Sequence, residues 1–326
     1  LFCRANQLAE QITVEHCDLW GSAAEKRALL QAATTTPAKK INCSLLTPKT
    51  PYFFLLPHDD RVHDEYRAGF SLCDVMTQRS TAAVTARDGL VVGFDAQEIL
   101  AKLELFRDSE VSDGELREQF FTNSRSSKYP PGDTRGWKLT AARAKMSADP
   151  QWQNRLQTCF YRPFDRRSIY WAPWMIDWPR TSMMKHMLDL PNLALVARRQ
   201  MLPSRPCNFF WVTDGICLDG LIRSDNRGSE SIFPLYLARE DEQGSAQPVA
   251  NFSPNLIAQL TDHYGWQWLS FGSGDLQQNC GPLDLFHMIY AQFYSLEYRQ
   301  RYASWLRIDF PRLFLPARRE LFRLLA

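Results

Sequence analysis

The sequence lacks most of the signatures that would name a chemistry outright. Its eight cysteines, at positions 3, 17, 43, 73, 159, 207, 217 and 280, never stand as C-x-x-C. That spacing argues against a zinc ribbon and fits a reducing cytosol, so a cytoplasmic protein is expected. No apolar run approaches the roughly 18 residues of a membrane-crossing helix. The six histidines show no H-E-x-x-H spacing. His58 and His63, among Asp59, Asp60 and Asp64, read more readily as part of a solvated acidic loop than as metal ligands. Ser270-Phe-Gly-Ser-Gly-Asp275 contains a G-x-G but no following G-K-[ST] and no βαβ frame, so it is no nucleotide loop. Tyr129-Pro-Pro-Gly132 has neither the polar residue before the prolines nor the aromatic after them that an amino-methyltransferase loop carries; it reads as a turn. No Ser/His/Asp or Cys/His set stands out, and there is no repeat or low-complexity tract. The chain therefore offers no catalytic residue, no metal site and no cofactor site of its own, and alone is not expected to be an enzyme. Lysine is scarce too, 9 against 29 arginines, a ratio that a GC-rich coding bias accounts for.

What is present is an ordinary globular composition: 326 residues, 45% hydrophobic and 23% charged. A disordered chain and a small disulfide scaffold are both excluded, and there is room for two or three domains. The chain starts at Leu1 without Met, with no charged stretch leading into an apolar one, so it is read as a piece of a longer protein rather than as carrying a signal peptide. The net charge of +2 hides an uneven distribution. Residues 121–230 hold 17 basic against 9 acidic side chains, an excess of +8, which leaves −6 for the rest. Six of the ten tryptophans lie in the same stretch: Trp137, Trp152, Trp171, Trp174, Trp178 and Trp211. A basic segment interleaved with aromatics is the compositional footprint of a nucleic-acid surface. The alternative is charge spread evenly around a solvated surface.

Hydrophobic spacing divides the chain. Strands are expected at Leu1–Cys3 and Ile12–Cys17, then a helix over Ala23–Ala32, capped by Ser22 with Glu25 three residues on. Glu65–Met76 reads as a helix, Ala82–Thr85 and Leu90–Phe94 as strands about an Arg87-Asp88-Gly89 turn. Asp95–Arg107 is a helix whose Ile99, Leu100, Leu103 and Phe106 share one face. Helices are expected at Trp137–Ala148, Pro150–Thr158 and Thr181–Leu188. Strands are expected at Ala194–Ala197, Phe209–Thr213 and Ile232–Leu237, followed by a charged linker over Ala238–Ala250. The remainder reads as helices over Pro254–Tyr264, Leu283–Tyr294, Leu296–Leu306 and Ala317–Leu325.

Seven local patterns occur in order: His16-Cys-Asp-Leu-Trp-Gly-Ser22; Ser80-Thr-Ala-Ala-Val-Thr-Ala-Arg-Asp88 with Phe94-Asp95; Tyr161-Arg-Pro-Phe-Asp-Arg-Arg167 with Ile169-Tyr-Trp171; Asp177-Trp-Pro-Arg180; Ala197-Arg-Arg-Gln200; Phe233-Pro-Leu-Tyr236; and Tyr298-Arg-Gln-Arg-Tyr302 with Asp309-Phe-Pro-Arg312. Together they resemble the C-terminal specificity region of Type ISP restriction-modification enzymes and related adenine-specific DNA methyltransferases, over nearly the whole chain. The resemblance implies an α+β fold: a mixed-sheet target recognition domain with flanking helices and a helical C-terminal segment. Residues 1–33 would be the tail of a methyltransferase domain, 34–158 a mixed α/β and helical connector, 159–250 a β-rich recognition core, and 251–326 helices packed on it. S-adenosylmethionine would be bound upstream, where the methyl-transfer loop would also lie, and a nuclease and a translocase precede that domain in some members. The partners implied are double-stranded DNA and those upstream domains, with no membrane.

For such a chain, the candidate DNA-binding residues are Arg125 and Lys128 on a polar loop, and Arg180, Thr181 and Lys185 at the start of a helix. Arg198, Arg199 and Gln200 leave a strand, and Arg223, Asn226 and Arg227 sit on a loop with Ser224. Arg162, Asp165 and Arg167, within the dense aromatic motif, read as scaffold ion pairs rather than as base readers, and Arg87-Asp88 and Arg180 admit a structural role as well. A different class of function remains open: a protein-interaction or structural module whose Trp-rich middle binds a partner subunit, which would need clustered exposed aromatics.

Overall fold

A computed structural model describes residues 13–35, 42–50, 52–58, 60–122, 127–202, 205–222 and 230–326. The chain forms two compact units, Leu1–His63 and Asp64–Ala326. In the first, the strand Val14–His16 pairs antiparallel with Ser44–Leu46, and the helix Ala23–Thr35 follows the expected cap. The Ser22 amide donates to Glu25 Oε2 at 2.6 Å and the Glu25 amide donates back to Ser22 Oγ at 3.3 Å. The expected strand at Leu1–Cys3 lies outside the described residues.

The second unit is α+β, as expected, and is built on two four-stranded sheets. One runs in the order Ile216–Cys217, Leu156–Arg162, Asp165–Tyr170, Val92–Gly93, its first pair parallel and the others antiparallel. The other runs Ser80–Thr81, Ser231–Pro234, Ala194–Ala197, Phe210–Thr213, antiparallel throughout. The segment from Ser80 to Gly93 serves both. Ser80–Thr81 pairs in the second sheet, Val92–Gly93 in the first, and single bridges join Ala83 to Leu218 and Val84 to Trp178 between them. Ala82, Ala83, Leu90 and Val91 on this stitch are fully buried. The helix Ala96–Arg107 covers the first sheet with Ile99, Leu103 and Phe106, all at 0% exposure. Asp95 caps it, accepting from the Glu98 amide at 2.8 Å.

Several elements depart from sequence expectation, each for a visible reason. Glu65–Met76 is not one helix: it is the helix His63–Ala68, the strand Phe70–Ser71 and the turn of helix Leu72–Val75. Gly69 makes the break, because a Cβ there would stand 2.7 Å from the Phe314 ring. The freed strand pairs antiparallel with Arg312–Leu313. Gly69→Ala should therefore cost about 1–3 kcal/mol through overpacking, read as a lowered Tm with native secondary structure retained. Pro150–Thr158 divides into a 3-10 turn at Trp152–Arg155 and the strand that starts at Leu156. Leu90–Phe94 is a helical turn, Asp88–Val91, before its short strand. Ile232–Leu237 kinks at Leu235, whose amide donates to Leu193 O at 2.7 Å. Its second half joins a hairpin, Tyr236–Glu240 with Ala246–Ala250, where a linker was expected. Gly244 turns that hairpin with φ +78°.

The C-terminal helices Pro254–Tyr264 and Pro282–Tyr294 match expectation closely. The next breaks at Tyr302 into Leu296–Arg301 and Ala303–Leu306, and the last is Arg319–Leu325. Ser270–Asp275 closes on itself: Asp284 Oδ2 accepts from the Gly274 amide at 2.6 Å and the Gly281 amide at 2.8 Å. Those amides are thus engaged by a carboxylate of the chain itself.

Candidate nucleic-acid interface

One buried arginine organises the first part of the site. Arg87 is 1% exposed. Its Nη1 donates to the carbonyls of Thr85 (3.0 Å) and Met175 (3.3 Å), and its Nη2 to Asp177 Oδ1 (3.1 Å) and Thr134 Oγ1 (3.5 Å). Its guanidinium lies over the Trp137 ring at 3.9 Å. Burial pulls the guanidinium pKa down, while Asp177 supports the charge. The Arg87-Asp88 motif is thus scaffold. It gathers the 134–137 loop and the 175–177 segment beneath a surface that ends in Trp178, 56% exposed.

Two open hollows flank Trp178, about 420 and 440 Å³, sharing Asp177 and Trp178 in their walls. Arg180, Thr181 and Ser182 line one; Arg135 and Lys145 line the other. Arg180 has φ +51° and its guanidinium lies over the Trp178 ring at 5.1 Å. The helix Thr181–Leu188 starts there and is sharply two-sided. Met183, Met184, His186 and Met187 are buried, whereas Thr181, Ser182 and Lys185 are exposed. His186 Nδ1 accepts from the Ala238 amide at 3.0 Å, and burial lowers the imidazole pKa, so it is a neutral structural group. Arg180 and Thr181 therefore share one hollow, and Lys185 is exposed one helical turn further on. Lys128 is exposed on a separate loop, 5.6 Å from the Tyr129 ring that Lys138 also approaches at 4.4 Å.

At the end of the strand Ala194–Ala197 three consecutive residues part company. Arg198 is 6% exposed and points inward, with its Nη1 3.6 Å from Glu230 Oε1. Glu230, fully buried, also accepts from the amides of Gly220 (3.1 Å) and Ile222 (3.3 Å). Burial raises its carboxyl pKa. The pair thus fixes the chain on both flanks of residues 223–229. Arg199 points outward, its side chain 70% exposed and 3.3 Å from Asp309. Gln200 Nε2 donates to Ile308 O at 3.3 Å. A cleft of about 620 Å³ opens here between Arg79, Arg199, Gln200, Thr81, Ser231 and Phe310. Arg198→Ala and Arg199→Ala should accordingly separate. The first lowers Tm by stranding a buried carboxylate; the second leaves Tm within about 1 °C while weakening duplex binding. Thermal melts paired with anisotropy titrations distinguish the two. Arg125, Arg223, Asn226 and Arg227 lie outside the described residues.

The aromatic motif behaves as the expected scaffold, with one exception. Arg167 Nε donates to both carboxylate oxygens of Asp165 at 3.0 Å and stacks between Phe94 and Tyr161, 4.3 Å from each ring. Arg162 covers Tyr161 at 4.1 Å, and the Tyr161 hydroxyl donates to Asp88 Oδ2 at 2.9 Å. Phe164, in the middle of the motif, is 89% exposed. A signal for it was legible: a large apolar residue follows Pro163 at a turn between two strands, where little can cover it. Tryptophan crowding was the weaker signal. Trp137, Trp152 and Trp171 are buried and Trp174 and Trp211 half-buried, leaving Trp178 alone of the six exposed. The middle segment therefore lacks the clustered exposed tryptophans that a partner-subunit surface built on them would need.

Residues 74–326 match the model of the Type ISP C-terminal specificity domain. No curated protein sequence matches the chain. Among solved structures, the cryo-electron microscopy DrdV–DNA complex is similar with a TM-score of 0.58 at 18% identity, covering 93% of this chain and 28% of that one. LlaBIII, an ATP-dependent Type ISP restriction-modification enzyme bound to DNA, gives 0.58 at 15% identity, covering 95% of this chain and 19% of that one. A nuclease-deletion mutant of the Type ISP enzyme LlaGI with a DNA substrate mimic gives 0.56 at 15%, covering 97% and 27%. The likeness is one of fold, and the chain spans less than a third of each of these proteins.

Proposed function

This chain belongs to the Type ISP C-terminal specificity domain family, and from that premise we propose that it recognises a sequence in double-stranded DNA on behalf of a restriction-modification enzyme. The finer reading is that it positions a target adenine for methylation by an upstream domain. The observation that carries the proposal is the grouping of Arg180 and Thr181 with Arg135 and Lys145 around exposed Trp178, with Lys185 exposed one helical turn beyond Thr181. Exposed cations set register on phosphates, while hydroxyl and amide side chains such as Thr181 and Gln200 read base edges. Each good bidentate base contact contributes about 1–3 kcal/mol of discrimination. Extruding an adenine costs a few kcal/mol, so a module that grips the flanking duplex makes that step accessible. S-adenosylmethionine would be bound by the upstream domain. The glycine-containing loop singled out in the sequence, Ser270–Asp275, is poorly suited to hold it, because the Gly274 amide is already taken by Asp284, which also takes the Gly281 amide. No step of methyl transfer is assigned to this chain.

The test is selection of bound duplexes from a randomised pool by the purified chain, followed by anisotropy titration of the enriched sequence. Enrichment of one short motif is the expected result. Failure to bind any duplex at 50 mM salt would overturn the proposal.

A further inference from the structure

The strands Leu156–Arg162 and Asp165–Tyr170 are joined by a two-residue turn, Pro163–Phe164. Phe164 has φ +61°. Proline followed by a residue of positive φ is the pattern of a tight turn whose second position belongs to glycine or asparagine. A bulky side chain there is a backbone outlier. The ring gains little in exchange: it is 89% exposed and meets Trp211 edge-on at 5.2 Å. Folding alone would favour glycine. A strained, solvent-facing residue on an otherwise well-braced element points to use elsewhere.

The bracing is specific. Arg162 opposes Asp165 across the turn, and the register shifts between Phe160 and Arg162, so Tyr161 is bulged and re-aimed toward Asp88. The Arg167–Asp165 fork and the stacking of Arg167 between Phe94 and Tyr161 stiffen the base of the hairpin. Arg166 stands beside it, its side chain 59% exposed and 2.8 Å from Asp214. A projecting ring on a rigid tip with cations on either side suits a stack of bases between phosphates better than an apolar protein groove, where the arginines would have to be desolvated.

We propose that Phe164 is a wedge. Resting on the reading that this chain binds duplex DNA, it enters between adjacent base pairs and partly unstacks one step, while Arg162 and Arg166 lie against the neighbouring phosphates. Insertion of this kind kinks the duplex, and its cost falls at pyrimidine–purine steps. Phe164 would thereby contribute to sequence choice without a hydrogen bond to any base.

The recognised sequence need not be known to test this. The full chain is titrated by anisotropy with a 30-base-pair duplex and with the same duplex carrying a central T·T mismatch, where unstacking is already easier. The wild-type chain should favour the mismatched duplex by about 10-fold, from the stacking of one base. Phe164→Ala should abolish the preference and Phe164→Trp should keep it. Phe164→Gly should abolish it while melting no lower than wild type, because glycine relieves the turn. Matched duplex bound without a mismatch preference, or an unchanged preference in Phe164→Ala, overturns the wedge and leaves DNA binding standing. A lower Tm for Phe164→Gly also overturns it, since the ring would then serve packing. Binding to neither duplex at 50 mM salt overturns the DNA-binding reading and the wedge with it.

Discussion

Arg87→Ala should lower the stability of the second unit by about 3–5 kcal/mol, a fall in Tm on the order of 10 °C. The size follows from what the substitution strands. Asp177 loses its buried cation and keeps the Thr134 hydroxyl at 2.8 Å. The Met175 carbonyl loses the Arg87 donor in a dry environment, and the Thr85 carbonyl loses one of two, keeping the Asp177 amide at 3.3 Å. Trp137 loses the guanidinium on its face. Arg87→Lys should rescue little, because an ammonium cannot span the carbonyl pair and the carboxylate at once. Arg87→Met combined with Asp177→Leu should be less damaging than Arg87→Ala, since removing both charges leaves none unpaired. Urea titrations of the four proteins check the order. A loss below about 1 kcal/mol for Arg87→Ala would show that the guanidinium is not the tie between the 134–137 and 175–177 segments.

The second large effect is on binding. Arg79, Arg135, Lys138, Lys145, Lys185 and Arg199 are exposed at or near the hollows described above. Five phosphate contacts among them would give a slope of about −4.5 in log K against log salt, so affinity should fall about 500-fold between 50 and 200 mM monovalent salt. Anisotropy titrations at four salt concentrations measure the slope. A slope shallower than about −2 would mean that the backbone contributes little. Asp309 should moderate the contribution of Arg199, which it faces at 3.3 Å; Asp309→Asn should therefore tighten non-specific binding.

Local pattern carried the parts of the fold that local forces set. The helix Thr181–Leu188 and the strand Ala194–Ala197 have the bounds their hydrophobic spacing implies. Asp95 and Ser22 cap as their sequence context demands. What the sequence hid depends on partners far along the chain. Gly69 breaks a good helical pattern because Phe314, remote in sequence, needs the space. The Ala238–Ala250 segment looked like a linker because its charges sit at the hairpin end, and only pairing with Tyr236–Glu240 makes it a strand. The site divides similarly. Arg198 and Arg199 are indistinguishable as letters, and it is Glu230, just before the neighbouring strand Ser231–Pro234, that one of them meets. Arg87 read first as part of a turn signal, since nothing local announces that Asp177 and Trp137 will close over it.

The second unit ties a segment near its start to segments late in its sequence. Near its start, Phe70–Ser71 pairs with Arg312–Leu313 near its finish. Glu65 receives Arg301 Nε at 2.7 Å, and these contacts hold its carboxyl down to about 2. These ties would hold the two segments together after a cut at an exposed turn between them. With the original ends joined by a flexible linker, new ones could be opened at the Gly244 turn, where a Cβ would meet nothing within 4 Å. Such a circular permutant should fold. The same ties would let the unit accept an insertion at that turn without loosening the Phe70–Ser71 pairing.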